Sequence, residues 1–269
     1  MIGRWFIKFF FAFYLILLFL EWEYFAFYFK PFLVPSLLFL FIGNSSFFSN
    51  TKLLFALFFS TLGDIFLMGE GSLFFLLGLS SFLIAHLVYI ALFYYLYKPI
   101  KINVGAIISL LVLIIFESLL LSFLWPYLGS LSIPVFAYAT VLLLMFWFSL
   151  FAVARNGELT SGFIVIGALC FVCSDSLLSI RLFVREFEKA HFLVMLSYLV
   201  AQYLIVSGVL DQSKKTKSIR RVLVSIIYHN QEIDLESLLN KIKIKKQDCF
   251  LIIFDNIKNI FLNKKLKKK

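Results

Sequence analysis

Two aspartates stand inside apolar runs, Asp64 in LFALFFSTLGDIFLM and Asp175 in GFIVIGALCFVCSDSLLSI. A charge at membrane depth is costly, so such a residue tends to face a polar cavity and serve a function. Two nearby carboxylates cannot both ionise cheaply, and a pair therefore offers one acid and one base near neutral pH. That division of labour suits acid-catalysed hydrolysis: one group protonates the substrate, while the other stabilises an oxocarbenium-like cation or activates water. Each aspartate alone has a structural alternative, a protonated side chain hydrogen-bonded across a helix contact. A small residue precedes both: Gly63 allows close helix approach, and Ser174 can donate a hydrogen bond.

Further polar side chains share these runs. Glu117 in LLVLIIFESLLLSF is either cavity wall or interhelical contact. His86 in SSFLIAHLVYI can orient an acid or ligate a metal, or it can sit as a packed, hydrogen-bonded residue. Tyr138 and Gln202 are ordinary within membrane bundles. Arg181, Arg185 and Lys189 can attract a phosphate head group or serve as plain interfacial cations. No Gly-rich phosphate loop, GxSxG elbow or HExxH motif gives support to nucleotide, serine-hydrolase or zincin chemistry. Cys170 and Cys173 lie in an apolar run and Cys249 in the tail, so no disulfide framework is suggested.

The elements that must position these groups follow from composition. With 62% hydrophobic residues and 36 phenylalanines in 269, the chain belongs to the polytopic membrane class. Spans of about 20 apolar residues cross the hydrocarbon core. The runs predict helices near 5–20, 31–43, 52–69, 73–97, 102–124, 132–154, 160–183 and 190–210, an all-α transmembrane bundle of about eight spans. The second is short and holds two prolines; a start before Lys30 is the alternative, with the Lys30 amine then snorkelling to the interface. Breaks such as GNSSFFSNTK, MGEGS, WPYLGSLS and VREFEKA combine charge, Gly, Pro and Ser as short loops do.

Orientation follows from basic residues near span ends. With an even number of spans, the N-terminus, Lys52, Lys98, Lys101, Arg155 and the tail share one side, against Lys30, Arg181, Arg185 and Lys189 on the other. Both termini are therefore expected to be cytoplasmic. Asp64 then lies roughly 7 Å and Asp175 roughly 12 Å before the outward ends of two parallel helices, at 1.5 Å per residue. Both occupy the outward half, with Glu117 and Tyr138 on that side and His86 and Gln202 nearer mid-membrane.

The basic charge belongs to the tail. Residues 1–210 carry ten Lys/Arg against nine Asp/Glu, whereas residues 211–269 carry fifteen against six. Residues 1–210 are expected to form the membrane domain. Residues 211–269, with an amphipathic pattern over 219–240, are expected to lie on the cytoplasmic face beside anionic lipid, partly disordered; no fold motif points to nucleic acid.

The stretch KLLFALFFSTLGDIFLMGEGSLFFLLGLSSFLIAHLVYIALFYY resembles the YhhN-like lysoplasmalogenase family, which has a Gly-Asp helix followed by a helix with Gly-Leu, Phe, Ala-His and Tyr. GALCFVCSDSLLSIRLF resembles its second signature, SYLVAQYLIVSGVL its last span, and KPFLVPSLL its early Lys-Pro segment. The resemblance covers most of residues 30–210. It implies an integral, multi-pass hydrolase of a bacterial cytoplasmic membrane that cleaves the vinyl ether of a lysophospholipid, giving a fatty aldehyde and a glycerophospho-alcohol without metal or organic cofactor. Carried over, Asp64 and Asp175 match the family's acidic positions, and Lys30, His86, Tyr138 and Gln202 its polar cavity positions. Nothing in the sequence fixes an oligomeric state or the partner of the tail. The alternative from another class is a proton-coupled transporter or lipid-binding protein, although the inverted repeat such a protein would carry is not evident.

Overall fold

Backbone polar groups in hydrocarbon must be satisfied within their own segment, and long apolar runs therefore become helices. The computed structural model describes residues 2–41, 50–97, 103–156 and 159–228. Eight α-helices occupy them: α1 (Ile2–Phe19), α2 (Glu23–Ser36), α3 (Thr51–Phe66), α4 (Ser72–Tyr97), α5 (Val104–Leu128), α6 (Ser132–Asn156), α7 (Leu159–Ser179) and α8 (Ala190–Tyr228). No strand occurs among the described residues. Among the described residues five helical stretches are long and apolar enough to cross a membrane: Glu23–Phe41, Ser72–Leu96, Val104–Ala152, Ser161–Val184 and Ala190–Lys214. The third contains α5 and most of α6.

Local chemistry sets the breaks. Gly71, at φ +94°, turns α3 into α4 where L side chains are strained, and Gly129, at φ +51°, does the same between α5 and α6 just after Pro126. Asn103 caps α5 by accepting the Ala106 N–H at 2.9 Å. The second helix begins at Glu23 rather than near residue 31 and carries Pro31 and Pro35 within it, then tightens into a 3₁₀ turn over Leu37–Phe41. The seventh ends at Ser179 and widens into a π-helical turn, Ile180–Val184. The eighth runs beyond residue 210 to Tyr228. Lys98, Lys101, Cys249 and the tail after residue 228 lie outside the described residues; Cys170 and Cys173 are free thiols.

Helices α1 to α4 pack in sequence, α4 packs on α6, and α6 on both α5 and α7. α8 is central: 67% of its most apolar window is buried, against 11% for the α5–α6 stretch. At one end of the bundle the Arg4 guanidinium pairs with Asp211 at 2.8 Å. At the other, the Lys189 ammonium meets Glu21 at 2.6 Å and the Phe19 carbonyl at 3.1 Å, capping the C-terminus of α1. The hydrogen bond from Lys189, and then its charge, hold the Glu21 carboxyl below its ordinary range. Helices α1 and α8 are thus antiparallel neighbours. The chain divides into two units, Met1–Gln212 and Ser213–Lys269, and the candidate site lies wholly in the first.

Candidate active site

Close helix packing brings the acids to one place. A Cβ on Gly63 would lie 2.6 Å from the Phe82 ring, so only glycine lets α3 sit this near α4. On α7, a Cβ at Gly167 would lie 2.8 Å from Ile205 and 3.0 Å from the Ala201 carbonyl, which sets the approach to α8. Ser174 ties the same pair of helices, its hydroxyl donating to the Val194 carbonyl at 3.1 Å. Between these helices lies a cavity of about 490 Å³, and both Asp64 and Asp175 line it.

Each carboxylate is held at one oxygen by a tyrosine. Tyr198 on α8 donates to Asp64 Oδ2 at 2.8 Å, and Tyr138 on α6 donates to Asp175 Oδ2. Among the described residues neither Oδ1 accepts a hydrogen bond, so each acid keeps one uncommitted oxygen. Asp64 is 4% exposed and the Asp175 side chain 15%.

Behind each tyrosine stands a further polar group. Tyr89 donates to Gln202 Oε1 at 2.9 Å, and Gln202 Nε2 donates to the Tyr198 hydroxyl oxygen at 3.3 Å. The donors therefore run in one direction, Tyr89 to Gln202 to Tyr198 to Asp64. On the other side, His86 Nε2 lies 3.0 Å from the Tyr138 hydroxyl and 3.8 Å from Asp175 Oδ2. Tyr138 has a single proton and gives it to Asp175, so His86 Nε2 must be the donor to Tyr138. That assigns the proton to Nε2 and leaves the buried Nδ1 without a partner among the described residues.

The expected residues thus fall into three groups. Lys30, Asp64, Tyr138, Ser174 and Asp175 line the cavity. His86 and Gln202 stand one hydrogen bond behind it. Glu117 lies elsewhere, accepting from Thr140 at 2.5 Å in the α5–α6 contact, which corrects its placement as cavity wall. Sequence reasoning passed over Tyr198 and Tyr89. A signal existed for the first, because Tyr198 and Gln202 are four residues apart on one helix face.

The rest of the wall divides by chemistry. Leu120, Leu121, Leu124 and Val135 with Phe75 form an apolar arm of the cavity between α4, α5 and α6. Arg181 and His191 supply a polar end. Among the described residues no group of three or more His, Cys, Asp and Glu side chains is placed to hold a metal. An amphiphile is the ligand this wall fits, and paired carboxylates in a largely apolar cavity can donate and accept protons on it.

Comparison with known proteins agrees with that shape. The YhhN family model matches residues 25–209. A protein of Mycobacterium tuberculosis named lysoplasmalogenase is 32% identical over 136 residues, which are 50% of this chain and 50% of the relative. The Bos taurus protein named lysoplasmalogenase TMEM86A is 27% identical over 179 residues, 64% of this chain and 70% of the relative. Lysoplasmalogenase TMEM86B of Homo sapiens is 33% identical over 151 residues, 54% and 58% respectively. The chain spans about half the length of the mycobacterial relative it matches. No solved structure matches it.

Proposed function

The chain belongs to the YhhN family, and on that footing we propose that it is a membrane hydrolase that cleaves the vinyl ether of lysoplasmalogens, with Asp64 and Asp175 as its acid–base pair. The observation that carries this reading is the single cavity holding both carboxylates beside an apolar arm. The names of the relatives support the same substrate class.

A vinyl ether is hydrolysed through protonation at carbon. Asp64, as the carboxylic acid, gives its proton to the alkene carbon remote from the ether oxygen, and the adjoining carbon becomes an oxocarbenium ion. Asp175, as the carboxylate, takes a proton from water while that water oxygen bonds to the cationic carbon. The hemiacetal then passes its hydroxyl proton to Asp64, the ether oxygen takes the proton now on Asp175, and the carbon–oxygen bond breaks. Fatty aldehyde and glycerophospho-alcohol leave, one water has been consumed, and both aspartates regain their first protonation states.

Exposure favours this assignment. Each acid accepts one tyrosine hydrogen bond, but the Asp175 side chain is 15% exposed whereas Asp64 is 4% exposed. A carboxylate with more access to water is the better anion. Lys30 lines the cavity and stabilises the charge that appears on Asp64 after proton transfer.

Residues 1–212 are the catalytic unit in this reading. We further propose an eight-span arrangement in a bacterial cytoplasmic membrane with both termini inside; the Arg4–Asp211 and Lys189–Glu21 pairs at opposite ends of α1 and α8 support it. The test is aldehyde release from a lysoplasmenyl lipid by protein purified in detergent. Asp64→Asn and Asp175→Asn should each lower kcat by about 10²–10⁴-fold, the usual contribution of a positioned acid or base. Normally folded variants with full activity would exclude the mechanism.

A further inference from the structure

The polar end of the cavity is built from groups whose charge the proposed chemistry does not use. Arg181 sits on the π-helical turn after α7, an irregularity that frequently marks functional sites. His191 opens α8, and both side chains line the cavity. Each is oriented by a carboxylate. Arg181 Nε donates to Glu186 Oε1 at 2.8 Å, and His191 Nδ1 meets Glu23 Oε1 at 3.2 Å. These contacts engage the rear of each side chain, leaving the guanidinium Nη atoms and the imidazole Nε2 without a hydrogen bond among the described residues. Lys30, on α2, lines the same cavity within electrostatic reach of Arg181 and of Asp64.

We propose that Arg181 and His191, with Lys30 behind them, form a subsite for the phosphodiester of the lysolipid head group. This rests on the hydrolase reading and adds the group that sets the depth of the substrate. A guanidinium fork held from behind suits two phosphate oxygens, and His191 Nε2 and the Lys30 ammonium suit a third contact. The axial spacing agrees. Arg181 is six residues beyond Asp175, roughly 9 Å at helical rise. In a 1-alkenyl glycerophospholipid seven bonds separate phosphorus from the alkene carbon to be protonated, roughly 9 Å when extended, since each bond advances a zigzag chain by ~1.25 Å. A phosphate on Arg181 therefore places the vinyl ether at the level of the carboxylates and sends the hydrocarbon into the Leu121–Leu124–Val135 arm.

Binding of unreactive analogues tests this apart from turnover. The protein in detergent is titrated with 1-O-hexadecyl-glycerophosphoethanolamine, a saturated ether that has no alkene to protonate, and with 1-O-hexadecylglycerol, which lacks phosphate. Wild type should prefer the phospholipid by roughly tenfold or more, the worth of one charge-assisted fork. Arg181→Gln should reduce that preference to about threefold or less, and Arg181→Lys should restore part of it. An unchanged preference in Arg181→Gln overturns the subsite, as does equal loss of affinity for both ethers. Inorganic phosphate alone should bind far more weakly than the phospholipid; equal affinity would make this a free-phosphate site and also overturn the proposal. If the preference behaves as expected but no aldehyde is released from a vinyl ether, the hydrolase reading fails while the anion subsite stands.

Discussion

Replacing Tyr198 with phenylalanine separates the hydrogen-bond support of Asp64 from the acid itself. The hydroxyl donates to Asp64 Oδ2 at 2.8 Å and accepts from Gln202 Nε2 at 3.3 Å. Before proton transfer Asp64 is a neutral acid, and a bond of that kind contributes about 0.5–1.5 kcal/mol; afterwards it is a carboxylate, where the contribution is about 1.5–3 kcal/mol. Only the difference accelerates the reaction, because binding ground and transition states equally lowers no barrier. That difference, about 1–1.5 kcal/mol, is roughly tenfold in rate. Folding should suffer less, since interhelical hydrogen bonds in a membrane bundle average ~0.6 kcal/mol. Tyr198→Phe is therefore expected to lose about tenfold in kcat with a small fall in Tm. The assay couples aldehyde release to an alcohol dehydrogenase, with thermal unfolding followed in the same detergent. A kcat within twofold of wild type would refute the differential role of the bond; a fall that tracks unfolding would show that the hydroxyl serves the fold alone.

Three further outcomes follow from neighbouring geometry. Tyr138→Phe should cost less than Tyr198→Phe, because His86 Nε2 already lies 3.8 Å from Asp175 and can close on it, whereas Asp64 has no such reserve; steady-state kinetics of the two variants side by side decide this. Gly167→Leu should lower thermal stability by about 1–3 kcal/mol through overpacking, and activity with it, since it forces α7, which carries Asp175, away from Ile205 and the Ala201 carbonyl of α8. Glu117→Gln should keep kcat within about twofold, because the part-buried hydrogen bond from Thr140 is a packing contact of modest worth; a larger loss would return Glu117 to the site.

The amino-acid sequence made the acids visible because their cost in an apolar run does not depend on the fold. It also indicated their shared level, and Asp64 and Asp175 line one cavity. Depth, however, does not specify a helix face. Glu117 has a depth similar to the aspartates, but its side of α5 meets Thr140 on α6 and not the cavity. Nor does polarity distinguish a wall from a support: Gln202 and His86 are as buried as any site residue, yet act through Tyr198 and Tyr138. Tyr198 escaped notice because tyrosine is unremarkable in a membrane helix until its partner is known. The early start of α2 was obscured by Pro31 and Pro35, which break most soluble helices but are tolerated in membrane ones. The π-helical turn that carries Arg181 has no simple sequence signal, being fixed by how the end of α7 packs on α5.

Protonation of carbon by a positioned carboxylic acid is read out by turnover in deuterium oxide. The fatty aldehyde is reduced as it forms, so that solvent exchange cannot scramble the label. One deuterium is expected at carbon 2 of the product, delivered to a single face of the alkene, with the labelled product lost in Asp64→Asn. Racemic deuteration, or a product with no deuterium at carbon 2, would contradict it.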